Sequence, residues 1–378
     1  MRPAASLTLP RALHPGAWWL WALGLAAAAS RTTNPVLLVL IIAVTGFVVT
    51  ARRTDDPWAG AFSAFLKLSL VLIAIRVVLQ ALLSRSSQGV TVLFTLPEVP
   101  LPSWLAGVKL GGAVTAEAVL TATYAGLQLA TILCCVGAAN ALASARRLLA
   151  TVPGALYEAG VACVVALSFA PQLVTDARRI RQAHRLRGHS PRRLAGLRRT
   201  AMPVLEGALD RSIELAAAMD ARGYGRTGNA SPSSRRITTA LVAGGLLSMC
   251  VGGYGLLDGS GAQLRGLPTL LLGTVLAGGG LAVGGRRTQR TRYRPDPWAL
   301  PEWLVAASGL GAAVALFATA ATTPAVLTVP SPLALPAVPL VATISVLVGL
   351  LPAVVAPPVP RRTGMVASPQ PRTAQVSA

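Results

Sequence analysis

The sequence predicts an all-α polytopic membrane protein: about eight transmembrane helices, one further membrane-associated segment and a pair of cytoplasmic helices. Three observations carry that class. Only 12% of the 378 residues are charged and the mean hydropathy is +0.60, whereas a soluble domain carries roughly 25% charge. Apolar stretches recur, and those at 61–83, 111–138, 237–257 and 333–356 reach the ~20 residues that a bilayer core requires. The 34 basic residues outnumber 13 acidic ones for a net charge of +21, and all but two (Lys67, Lys109) are Arg, placed mostly between the apolar stretches.

Taken in order, segments 17–29 and 35–50 are short for spans unless their flanks contribute, and they read as a hairpin closed by Arg31-Thr32-Thr33-Asn34-Pro35. Arg2, Arg11 and the Ala27-Ala28-Ala29 end resemble a secretory signal peptide. A retained helix is favoured, because a second apolar segment follows at once. Further stretches lie at 155–174, 267–285 and 303–321. Arg52 and Arg53, Arg146 and Arg147, the Arg residues from 286 to 294, and Arg361 and Arg362 each follow an apolar segment and mark cytoplasmic ends. The less basic 84–110 suits the outside, and the N-terminus is expected in the cytoplasm. Two basic loops, 139–154 and 175–236, flank the segment 155–174. With both inside, that segment lies at the interface, re-enters or leans on other helices rather than crossing. The expected organisation is membrane helices over 1–174, a cytoplasmic module over 175–236, membrane helices over 237–356 and a disordered tail over 357–378.

The cytoplasmic module holds 14 Arg. Leu173, Ala177, Ile180, Ala183 and Leu186 recur at helical spacing, and Gly188 followed by Pro191 is a stop. A second helix is expected from near Pro203 to Gly223, with Leu205, Leu209, Ile213, Ala216 and Met219 as its apolar stripe. The endings Ala183-His184-Arg185-Leu186-Arg187-Gly188 and Ala218-Met219-Asp220-Ala221-Arg222-Gly223 share the form A-x-x-x-R-G, 35 residues apart. For one helix, a cation against the C-terminal dipole explains the Arg. Its appearance twice points to two guanidinium forks presented to partner carboxylates.

Phe169-Ala170-Pro171-Gln172-Leu173, Asp176, Arg179-Ile180 and Ala183-x-Arg185-x-Arg187-Gly188 resemble the first coupling helix of energy-coupling factor (ECF) transporter T components, the EcfT/CbiQ family, and Ala218 to Tyr224 resembles the second. Leu13-His14-Pro15 and Thr33-Asn34-Pro35 are similar to the family's opening motif and first-hairpin turn, with His14 in place of the usual acid. The resemblance implies a membrane scaffold whose triplets, here Leu186-Arg187-Gly188 and Ala221-Arg222-Gly223, dock in two ABC-type ATPase subunits, with Ala183, Arg185, Ala218 and Asp220 in support. It further implies a small S subunit that binds a vitamin, a vitamin precursor or a transition-metal ion, and a bacterial plasma-membrane location. Leu186 departs from the family's Ala, and the stretches at 267–285, 303–321 and 333–356 exceed its minimal pattern.

Other classes fit less well. Neither lysine sits in a P-loop. Cys134, Cys135, Cys163 and Cys250 lie in apolar stretches where packing explains a thiol, and His14, His184 and His189 are scattered. No catalytic residue, cofactor or metal ligand is assigned. An autonomous secondary transporter or channel is the alternative, with Arg76 and Glu117 as its main intramembrane charges. Nucleic acid is not expected as a partner, because no interleaved aromatics accompany the arginines; anionic lipids are.

Overall fold

In a computed structural model, which describes residues 11–52, 61–82, 91–100, 109–151, 157–188, 193–223, 232–257, 263–287, 298–328, 336 and 338–357, proline opens both of the first two helices. These are α1 (Pro15–Ser30) and α2 (Pro35–Arg52). Proline at the first helical position loses no intrahelical bond and brings the required φ. The residue before each supplies the cap: Gly16 N–H donates to His14 Nδ1 at 3.1 Å, and Val36 N–H to Asn34 Oδ1 at 3.1 Å. The His14 imidazole nitrogen accepts there as a capping carboxylate oxygen would.

The chain divides into two compact units, Met1–Arg147 with Asp296–Ala378, and Leu148–Pro295. In the first, α1 and α2 are followed by α3 (Ala61–Leu82), strands β1 (Val92–Pro100) and β2 (Lys109–Thr115), α4 (Ala116–Leu142) and the short α5 (Ala145–Ala150), which runs on into the second unit. The same unit also holds α10 (Leu300–Thr322), α11 (Pro324–Leu327), α12 (Leu340–Val348) and α13 (Leu351–Val355). Its core contains Trp21, Leu25, Leu38, Ile41, Val305 and Leu316, all fully buried. Two glycines set how closely α1 and α10 approach. A Cβ on Gly24 would lie 2.4 Å from the Gly309 carbonyl, and one on Gly309 would lie 2.3 Å from the Trp21 carbonyl oxygen. Trp21 Nε1 donates to the Gly349 carbonyl at 3.1 Å, which satisfies a buried indole and fastens the bend between α12 and α13.

The second unit holds α6 (Tyr157–Leu186), α7 (Arg193–Ala221), α8 (Pro232–Leu257) and α9 (Gln263–Arg287). Helices α8 and α9 pack through Gly245 and Gly252 on one side and Gly273 and Gly280 on the other, each close against the neighbouring helix. Ser248 Oγ donates across the pair to the Thr269 carbonyl at 2.8 Å.

Among the described residues, seven helices are long and apolar enough to cross a membrane: α2, α3, α4, α6, α8, α9 and α10. The polytopic helical class stands, and the count differs from eight for identifiable reasons. Helix α1 has 16 residues and spans about 24 Å at 1.5 Å per residue, short of a ~30 Å hydrocarbon core. The 333–356 stretch is broken at Gly349 and Leu350 into α12 and α13. Segment 155–174 is not a separate element: from Tyr157 it runs without interruption through Pro171 to Leu186. One region is not helical at all, since β1 and β2 pair as an antiparallel hairpin, with Phe94 opposite Val114 and Thr95 opposite Ala113.

Candidate functional site

The two helix ends singled out by the sequence close on equivalent glycines, with the arginine N–H bonded four residues back in the first and three back in the second. Arg187 N–H donates to the Ala183 carbonyl at 3.2 Å and Gly188 N–H to the Arg185 carbonyl at 3.0 Å. In the second, Arg222 N–H donates to Met219 at 3.1 Å and Gly223 N–H to Asp220 at 2.8 Å. Gly188 has φ +74° and Gly223 φ +73°, the left-handed conformation that ends a helix and that a Cβ disfavours. No heavy atom lies within 4 Å of a Cβ built at Gly188, so the requirement there is conformational rather than steric. Leu186, Arg187, Gly188, Ala221, Arg222 and Gly223 are all exposed, and so are Ala183, Arg185, Ala218 and Asp220. Leu186 is 90% exposed.

Helices α6 and α7 pack on each other. Their half-buried residues include Phe169, Leu173, Asp176, Ile180 and His184 on α6, and Val204, Ala208, Arg211, Leu215 and Met219 on α7. Each member of the second set lies 35 residues after its counterpart in the first, the same offset that relates the two Arg-Gly ends. The repeat therefore extends from the tips into the packed faces. At one of these related positions the charges are opposite, and they meet: Arg211 donates from Nη1 and Nη2 to Asp176 Oδ2 at 3.3 and 3.4 Å. Asp176 precedes Arg187 by 11 residues and Arg211 precedes Arg222 by 11. Eleven residues make about three turns, or ~16 Å, so each tip arginine shares a face with its clasp residue at the same arm length. An antiparallel hairpin with this connection would bring Asp176 opposite Pro203. It meets Arg211 instead, eight residues further along α7.

Two expectations are corrected here. Helix α7 begins at Arg193 and carries Pro203 within it, whereas the sequence reading took that proline for a start. The stripe Leu205, Leu209, Ile213 and Ala216 does not face α6. Leu205, Leu209 and Ile213 are about 60% exposed, and with Met202 they form an outward apolar row; of the expected stripe only Met219 is half-buried. Arg211 was missed. Shifting Asp176 by the 35-residue repeat lands on it and would have found it.

The charges of the alternative reading have other surroundings. Glu117 Oε1 accepts from the Thr91 N–H and hydroxyl at 3.2 and 3.0 Å, tying the hairpin to the first turn of α4, and Arg76 is exposed on α3. Among the described residues, no three of His, Cys, Asp and Glu gather as metal donors.

Residues 8–232 match the family model described as CbiQ, cobalt transport protein. The chain belongs to the CbiQ family. The match contains α1 to α7, both Arg-Gly ends and the Asp176–Arg211 pair. This CbiQ-family chain is thus a multi-pass membrane component of a transport system, and membership carries no catalytic activity of its own. The pair α8–α9 lies almost wholly beyond the match, and α10 to α13 lie entirely beyond it. No curated protein matches the chain.

Proposed function

We propose that this CbiQ-family protein is the scaffold and coupling subunit of an ECF-type importer in the bacterial plasma membrane. Two ABC-type ATPase subunits, identical or different, take one Arg-Gly tip each. Their nucleotide-driven closure shifts α6 and α7, and the movement reorients a small membrane S subunit that holds the cargo. The cargo is a vitamin, a vitamin precursor or a transition-metal ion; cobalt is the ion that the family's description names.

The observation that supports this reading is the duplicated tip: two exposed Arg-Gly ends in matching left-handed caps, on packed helices that share a 35-residue repeat. A guanidinium at a helix end offers a rigid fork to a carboxylate, and two equivalent forks suit two equivalent grooves. The outward row Met202, Leu205, Leu209 and Ile213 gives α7 a second, apolar face. Such a face is suited to a hydrophobic neighbour such as the S subunit.

The test is affinity purification of the tagged chain in mild detergent with mass spectrometry of its companions. Wild type brings down ABC-type ATPase and a small hydrophobic protein. Arg187→Glu and Arg222→Glu each lose ATPase by tenfold or more while inserting normally. Retention of ATPase by both variants removes the docking role and returns the two tips to ordinary helix ends.

A further inference from the structure

In the first unit, three arginines from separate parts of the chain line one cavity of about 210 Å³: Arg11 before α1, Arg52 at the end of α2 and Arg147 in α5. Each is held in place. Arg52 donates to the Ala353 carbonyl from Nε at 3.0 Å and from Nη2 at 2.6 Å, with longer bonds to Val354 and Pro357 at 3.4 Å. Arg147 donates to the carbonyls of Leu13 and Ala12 at 3.1 and 3.2 Å. Arg11 donates from Nη2 to Glu302 Oε2 at 3.0 Å, while its buried Nε has no hydrogen-bond partner. Carbonyl oxygens orient the guanidiniums of Arg52 and Arg147 and leave their charges in place, whereas the charge of Arg11 is paired with Glu302. The rest of the wall includes Ser144 and the apolar residues Trp18 and Leu142.

Fixed guanidiniums, one hydroxyl and an apolar flank form the recognition chemistry of a phosphate ester with carbon attached. Arg52 and Arg147 both follow apolar segments, on the side that the arginine distribution places in the cytoplasm. That is headgroup depth, where basic pockets between helix ends meet anionic lipid. We propose that this cavity is a binding site for the phosphate of an anionic phospholipid headgroup such as phosphatidylglycerol. The carbonyls that hold Arg52 belong to α13 and to Pro357, two residues beyond it, outside the part matched by the family model. The C-terminal helices thereby gain a role, completing a lipid site against the N-terminal ones. This assignment is independent of ATPase docking.

The test uses the purified full-length protein, stripped of lipid in neutral detergent and titrated with phosphatidylglycerol, phosphatidylcholine or soluble glycerol phosphate, with adducts read by native mass spectrometry. Ala12 lines the cavity and is exposed, so Ala12→Glu places a carboxylate at its mouth without burying one. Ala12→Gln controls for size, and Arg52→Lys keeps a charge while losing the fork. Expected is at least tenfold preference for phosphatidylglycerol over phosphatidylcholine in wild type and Ala12→Gln, lost in Ala12→Glu and weakened several-fold in Arg52→Lys. Equal retention of the two lipids, or a preference unchanged in Ala12→Glu, overturns the proposal. Binding of glycerol phosphate without preference between the lipids overturns the lipid source, assigning the cavity to a soluble phosphate ester.

Discussion

The packing of α1 with α10 and the packing of α6 with α7 solve the same problem in opposite ways. In the first, glycine meets glycine at backbone distance and the neighbouring Trp21, Leu25, Val305 and Leu316 are fully buried. In the second, none of the Ala159–Leu186 stretch is buried, and an ion pair with side chains 38% and 32% exposed bridges the helices. Close-packed interiors do not deform continuously, whereas an exposed ion pair is worth about 0–1 kcal/mol and is readily broken and remade. The difference separates a fixed region from one whose geometry a partner can alter.

The sharpest way to break that contrast is Gly309→Val. Its added carbons would have to displace the Trp21 backbone, at a cost of about 3 kcal/mol or more. The expected outcome is loss of the monodisperse peak in detergent size-exclusion chromatography. Asp176→Arg is next: it sets two guanidiniums against each other across the clasp and should lower transport per ATP several-fold with ATPases still bound. The reciprocal exchange, Asp176→Arg with Arg211→Asp, restores coupling if the pair positions the two tips; a swap that stays uncoupled shows that the residues act separately. The smallest effects compare two glycines in the same module. Gly188→Ala puts a Cβ at φ +74° and should cost about 1 kcal/mol. Gly207→Ala, inside α7 with open space around it, should raise helix stability by ~0.5–1 kcal/mol. Thermal melts of the two variants should therefore move in opposite directions.

Much of this was legible in the sequence wherever the cause is local. His14-Pro15 and Asn34-Pro35 are helix starts, Gly188 and Gly223 are helix stops, and each needs only neighbouring residues to act. The start of α7 was misplaced because Pro203 has the same preference for a first turn wherever it stands, and only the surrounding helix shows it to be internal. The apolar stripe of α7 was recognised, but periodicity marks a face without naming what covers it. The half-buried side toward α6 is instead the mixed row of Val204, Ala208, Arg211, Leu215 and Met219. The Gly24–Gly309 contact joins segments that no local pattern connects, and the β1–β2 hairpin takes its second strand largely from the start of the 111–138 stretch, whose apolar composition alone reads as span.

That long-range contact also sets a clock on synthesis. Gly24 leaves the ribosome 285 residues before Gly309, about 15–60 s earlier at ~5–20 residues per second. Throughout that interval α1, too short to span the bilayer unaided, has no α10 to close against. The insertion machinery or neighbouring lipid must shelter the Trp21–Gly24 face until the far end of the chain arrives.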